Sequence, residues 1–209
     1  MTRLPELDAD RTEIDLPPSP PGRIKIMGAL KSLLRKKEFS AITWSEIART
    51  AGVNEGLIYK YFKDSRNLLY QVLKELMDGY CAQLHMDLKG IQGAFNKLRR
   101  LIWSTINFYN SDRVFSRILL LEVRSFPDYY RSDTYQLVRT YANTALVIIE
   151  EGVRAGEIRD DIPPKYIRQM IMGAIEHLCL PGLIYDRDMA PDILTESICG
   201  ALFQGLSRK

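Results

Sequence analysis

The sequence predicts an all-α protein: a short three-helix domain followed by a longer helical one. Three observations carry that expectation. Apolar residues recur at helical spacing through successive segments, and no run has the alternation of a convincing strand. Glycines and prolines fall between those segments, where helices start and stop. Positions 43–62, TWSEIARTAGVNEGLIYKYF, spell two short helices joined by a tight turn.

Positions 1–21 are acidic and carry Pro5, Pro17, Pro18, Pro20 and Pro21. Such a stretch buries little and cannot hold a helix, so a disordered arm is expected. Arms that enter a DNA groove are basic, and this one has the opposite sign. A first helix is expected over about 23–37, with Ile26, Ala29, Leu30, Leu33 and Leu34 on its inward face. Arg35, Lys36 and Lys37 cluster at its end, where cations suit the helix dipole and would also attract a phosphate backbone. Phe39 and Ile42 close the small core.

The organising stretch follows. Thr43 with Glu46 three residues on makes a capping box. Ile47, Ala48 and Ala51 share one face, and Gly52 can take the left-handed conformation that stops a helix. Asn54 can cap a second helix whose inward residues are Ile58 and Phe62. This is the layout of a helix-turn-helix, whose second helix lies in the DNA major groove. Thr43 and Ser45 lie at a helix N-terminus, where hydroxyls suit a phosphate. Asn54, Glu55, Gly56 and Lys60 are expected to face the groove. Glu55 can accept from cytosine N4, Lys60 can donate to guanine or phosphate, and Gly56 permits close approach.

An ordinary helical hairpin would show the same spacing, but charge favours DNA. Positions 22–66 hold ten basic and four acidic residues, whereas 67–209 hold seventeen of each.

Positions 46–69, EIARTAGVNEGLIYKYFKDSRNLL, resemble the DNA-binding signature of the TetR (tetracycline-repressor-like) family. The matching elements are Ile47-Ala48, Ala51-Gly52-Val53, Gly56, Ile58-Tyr59, Tyr61-Phe62-Lys63 and Leu68-Leu69. The resemblance implies phosphate contacts for Tyr59 and Lys63. It also implies that the last helix pair forms a four-helix bundle with that of a second copy. The chain departs from the family pattern at Glu55 and Ser65, where lysine is frequent, and Arg66 is placed to restore a charge. From Phe115 to Leu178 the sequence is distantly similar to acyl-CoA-responsive members, notably in LLLEVRSF and IRQMIMGAIEHL.

The remaining elements follow from periodicity and breakers. Asp64 caps a helix over 65–88 with Leu69, Val72, Leu73, Leu76, Tyr80 and Leu84 inward, ended by Gly90 and Gly93. The next spans 94–110. Asp112 caps another expected to reach about 124, before Pro127. A long helix over 132–155 closes at Gly156. Pro163-Pro164 opens one expected to stop near 180 at Pro181-Gly182, and the last covers 191–206.

The expected domains are therefore an arm (1–21), a helix-turn-helix DNA-binding domain (22–66) and a helical ligand-binding and dimerisation domain (67–209). Candidate effector residues are the aromatics Trp103, Phe108, Tyr109 and Phe115, with Tyr129, Tyr130 and Tyr141. Arg117, Glu122, Glu176, His177 and Arg124 are candidate polar anchors. An apolar cavity with few anchors suits a hydrophobic or acyl-CoA-like effector. Ile167, Met170, Ile171, Ala174, Ile175, Leu178, Ile198 and Leu202 are the candidate homodimer face, with monomer core as the alternative. One short recognition helix reads few base pairs, so a two-fold dimer on a palindromic operator is expected.

Enzyme motifs are lacking: there is no HExxH, Walker loop, GxGxxG, CxxC or GxSxG. No metal or cofactor is expected, and Cys81, Cys179 and Cys199 read as structural free thiols. The chain has no membrane-length apolar run or signal-peptide pattern, and a cytoplasmic location follows. The expected function is ligand-responsive transcriptional regulation, most readily repression. A helical enzyme or a helical interaction adaptor are the alternatives, and neither accounts for charge confined to the first third of the chain.

Overall fold

A computed structural model describes residues 19–207. Every extended element among them is helical, and the one β-type pairing is an isolated bridge between Ile158 and Ser207. The chain divides into two compact units, one ending at Val72 and the other starting at Leu73.

The first unit opens with α1 (Pro21–Leu34), α2 (Trp44–Ala51) and α3 (Glu55–Tyr61). Pro21 stands in the first turn of α1, where its missing N–H costs no bond. It therefore belongs to the helix and not to the expected arm; positions 1–18 of that arm lie outside the described residues. α1 also ends earlier than periodicity predicts, at Leu34, with Arg35 as its C-cap. Ile26, Leu30, Ile47, Ile58 and Phe62 form the core of this unit. α1 packs on α2 and α3.

α4 (Ser65–Leu88) begins in the first unit and ends in the second. Asp64 caps it by accepting from Asn67 N at 2.8 Å. Its buried stripe holds Leu69, Val72, Leu73, Tyr80 and Leu84 as expected, but Met77 takes the place given to half-buried Leu76.

The second unit continues with α5 (Ala94–Ser111), α6 (Arg113–Arg117), α7 (Asp133–Arg154), α8 (Pro164–Tyr185) and α9 (Pro191–Leu206). α5 is central and packs against α7, α8 and α9. Gly152 lets α7 approach closely: a Cβ there would lie 2.6 Å from Ala94 Cβ and 2.7 Å from Ile158 Cδ1.

Two elements of the second unit depart from the sequence expectation. The single helix expected over 112–124 is α6 followed by a π turn (Ile118–Glu122) and a 3-10 turn (Val123–Ser125). Ile118, Leu119 and Leu120 are all buried, and so is Val123. A regular helix would turn three consecutive residues to different sides, whereas the wider turn helps to keep them inward. α8, in turn, passes through Pro181 instead of stopping there. The carbonyl robbed of its partner belongs to His177, which is exposed, so water can replace the bond. Beyond it Gly182, Leu183 and Met189 are buried, and that packing extends the helix to Tyr185.

No helix among the described residues is long and apolar enough to cross a membrane.

Candidate nucleic-acid interface and effector cavity

The caps position the helix-turn-helix. Thr43 Oγ1 accepts from Glu46 N at 3.2 Å, and the Glu46 carboxylate accepts from Thr43 N at 3.0 Å. Glu46 also accepts from the Thr43 hydroxyl at 3.1 Å and from the Lys37 ammonium. These donors, Lys37 foremost, hold the Glu46 carboxyl at about 2, well below the usual carboxylate range. The single hydroxyl proton of Thr43 is thus spent on Glu46. Thr43 caps α2 and is itself exposed, as is Ser45 beyond it at the same helix end.

Gly52 sits at φ 65, ψ 39 and donates its N–H to the last carbonyls of α2. Asn54 Oδ1 then caps α3 by accepting from Leu57 N at 2.9 Å. With Ile58 and Phe62 buried, α3 turns its other side outward. Asn54, Glu55, Gly56, Tyr59, Lys60 and, just past the helix, Lys63 are all exposed. Tyr59 is held from beneath by Trp44, with ring centroids 5.7 Å apart. Arg23 braces the same core, its guanidinium 5.7 Å over the Phe62 ring and bonded to Gln71 at 3.0 Å.

In the second unit a cavity of about 30 Å³ touches α4, α5, α7, α8 and the irregular 118–131 segment. That is room for about one water, so a larger occupant must push the walls apart. Tyr80, Phe108, Tyr109, Tyr129 and Tyr141 form its aromatic wall. Tyr80 stacks on Phe108 with centroids 4.4 Å apart. Burial raises all four phenols, Tyr129 to about 12, so each is a neutral hydroxyl at physiological pH.

One end of the cavity is a hydroxyl hub. Thr105 Oγ1 donates to Leu101 O at 2.7 Å and lies 2.9 Å from Tyr80 OH and 2.8 Å from Tyr141 OH. Because the Thr105 proton is used, both tyrosines donate to its oxygen. The charged lining residues are Arg124 and Glu176, paired through both arms at 2.9 and 2.7 Å. A wider groove between α7 and α8, about 620 Å³, shares Val138, Tyr141 and Glu176 with the cavity and carries Arg139 and Arg168.

Of the candidate effector residues, Phe108, Tyr109 and Glu176 meet at this cavity, as do Tyr129, Tyr141 and Arg124. Trp103 does not. It lies two residues, about 200° of helix, from Thr105, and its indole donates to Asp192 at 2.7 Å on the α9 side. Phe115 is buried elsewhere in the core, and Arg117 and Glu122 are half-buried outside the lining. His177, one residue past Glu176, is turned out to solvent. Tyr80 and Thr105 were missed. Each is a hydroxyl on a mainly apolar helix face, and a buried hydroxyl that needs a partner is the signal that could have found them.

The candidate dimer face also needs correcting. Ile167, Ile171, Ile175 and Ile198 are at most 2% exposed and belong to the core of their own chain. Ala174 and Leu202 are half-buried, whereas Met170 and Leu178 are exposed, together with Tyr166, Ile184 and Ile193. The outward apolar stripe is thus offset from the one read from spacing.

Comparison with known proteins fits both halves. Residues 26–72 match the family described as bacterial regulatory proteins, tetR family. Residues 92–180 match the tetracyclin repressor-like, C-terminal domain. The fatty acid metabolism regulator protein of Bacillus subtilis (strain 168) is 26% identical over 189 residues, covering 90% of this chain and 97% of that one. A crystal structure of the transcriptional regulator FadR from Bacillus subtilis in complex with stearoyl-CoA superposes with a TM-score of 0.78 at 26% identity, covering 87% of this chain and 98% of that one. The fatty acid degradation regulator FadR from Bacillus halodurans shares the fold, with a TM-score of 0.77 at 20% identity over 91% of this chain and 98% of its own.

Proposed function

The chain belongs to the TetR family of bacterial regulatory proteins, and from that membership we propose a repressor that binds a palindromic operator as a homodimer and is released by an apolar-tailed effector. As a family member it is a ligand-responsive transcriptional regulator and not an enzyme. The observation that carries the proposal is the outward face of α3. Its exposed residues Asn54, Glu55, Gly56, Tyr59 and Lys60, with Lys63 beyond, stand on a capped and braced turn in the cationic part of the chain. Asn54, Glu55 and Lys60 read bases, and Ser45, Tyr59 and Lys63 hold phosphates.

DNA binding is assigned to the unit that ends at Val72, and effector and partner binding to the unit that starts at Leu73. The exposed apolar side chains Met170, Leu178, Ile184 and Ile193 on α8 and α9 support pairing with a second copy. Such a dimer sets its two recognition helices one DNA turn apart, roughly 34 Å, or a multiple of it. The effector reading is supported by the aromatic cavity and by the stearoyl-CoA complex of the Bacillus subtilis FadR.

α4 is the element suited to connect the two events. Leu68 and Leu69 near its start are core residues of the first unit, while Met77 and Tyr80 line the cavity. An occupant that spreads the cavity displaces α4. It shifts DNA affinity only by its preference for the spread state, typically about 1–3 kcal/mol.

Selection of bound duplexes from a random pool tests the proposal. A palindromic consensus is expected; an asymmetric consensus would remove the two-fold dimer.

A further inference from the structure

We propose that the effector is an amphipathic carboxylate whose head group replaces the Glu176 carboxylate on Arg124. The inference rests on the reading of this cavity as the effector site. Arg124 is held by a carboxylate through both of its terminal nitrogens, the fork-to-fork arrangement that a guanidinium offers to any carboxylate. Glu176 thus occupies the position that an acidic ligand head would take.

The rest of the cavity narrows the choice. Its aromatic wall is uncharged, so it suits an apolar tail. Tyr80 and Tyr141 spend their protons on Thr105 and present only oxygen lone pairs, which repel an anion. Arg124 is the cation among the lining residues, and the anionic end of a ligand goes there.

Displaced Glu176 has a place to go. It also lines the α7–α8 groove, together with Arg139 and Arg168. Neither arginine has an ion pair or side-chain hydrogen bond among the described residues. The exchange therefore trades one half-exposed ion pair for another, and pairs of that exposure are individually weak. It also unties Arg124 from α8.

Calorimetric titration of the full chain tests this with hexanoate, decanoate and palmitate, each beside its methyl ester and its CoA thioester. One of the acids is expected to bind more tightly than its ester and its thioester. Arg124→Gln should weaken that acid about ten- to a hundredfold, the range for a hydrogen bond to a charged group. The same variant should leave the methyl ester unchanged, which also shows that it remains folded. Glu176→Gln, which removes the competing charge, should tighten the acid. Tighter binding of a thioester would overturn the carboxylate head while leaving the cavity as effector site. Equal losses for acid and ester in Arg124→Gln would overturn it too. No binding by any probe would overturn both the inference and the cavity reading.

Discussion

Tyr59 leans on Trp44, their ring planes inclined at 57°, across the turn between α2 and α3. Tyr59 keeps 59% of its surface exposed, so the contact braces the ring without burying it. If the Tyr59 hydroxyl and Lys63 hold phosphates, their loss weakens binding to every duplex sequence alike. Lys63→Ala should also flatten the salt dependence by about 0.9 in the log–log slope, the share of one neutralised phosphate. Tyr59→Phe carries no charge change and should leave that slope alone. Fluorescence anisotropy at stepped salt concentrations measures both, and an unaltered slope in Lys63→Ala would remove its phosphate role.

Glu55 stands in the outward row beside Asn54, where a carboxylate can accept from cytosine. Glu55→Lys is expected to change the preferred operator more than the affinity for random DNA. A mismatched base contact typically costs about 1–3 kcal/mol. Equal shifts on both kinds of duplex would show that Glu55 reads no base.

The capping box gives the first unit an acid-sensitive element. The Glu46 carboxyl is depressed to about 2 from 4.5, chiefly by Lys37. Its contribution to stability is complete above its ordinary value and is lost as pH falls toward about 2. Thermal unfolding of the native chain should therefore decline more steeply across that window than that of Glu46→Gln. Added salt should shrink the difference, because the group is at the surface. Parallel declines would show that the capping box adds no acid-dependent stability.

Thr105 is the shared acceptor for two buried phenols, and its hydroxyl also satisfies Leu101 O. Thr105→Val strands both phenols and should destabilise the chain by about 1–3 kcal/mol per orphaned group. Adding Tyr80→Phe and Tyr141→Phe to that variant removes the orphans and should recover part of the loss. Chemical denaturation of the series checks this, and no recovery would show that the hub is not the source of the cost.

Much of the fold was legible because its helix ends carry local chemistry. Thr43–Glu46, Gly52, Asn54 and Asp64 each mark a boundary by what one side chain can accept or one backbone can adopt. The misread boundaries are those decided by distant packing. Pro181 signals a stop, yet Gly182 and Leu183 are buried and carry α8 onward. The broken stretch after Arg117 reflects which of its residues must face inward, and nothing local announces a π turn. The same limit governs the sites. Periodicity marks Ile167, Ile171 and Ile175 as apolar, but only packing shows that they are consumed within the chain while Met170 and Leu178 remain outside. On α5, Trp103 and Tyr109 are equally aromatic, and their opposite fates follow from what α9 and α7 place beside each face.

The central claim is that the outward face of α3 and the N-terminal end of α2 hold the DNA. Amide hydrogen exchange of the full chain, with and without a duplex recovered by selection, tests it most directly. Slowed exchange at positions 44–46 and 54–63 is the expected result. Protection confined to the second unit, or none on any segment in dilute salt, would contradict it.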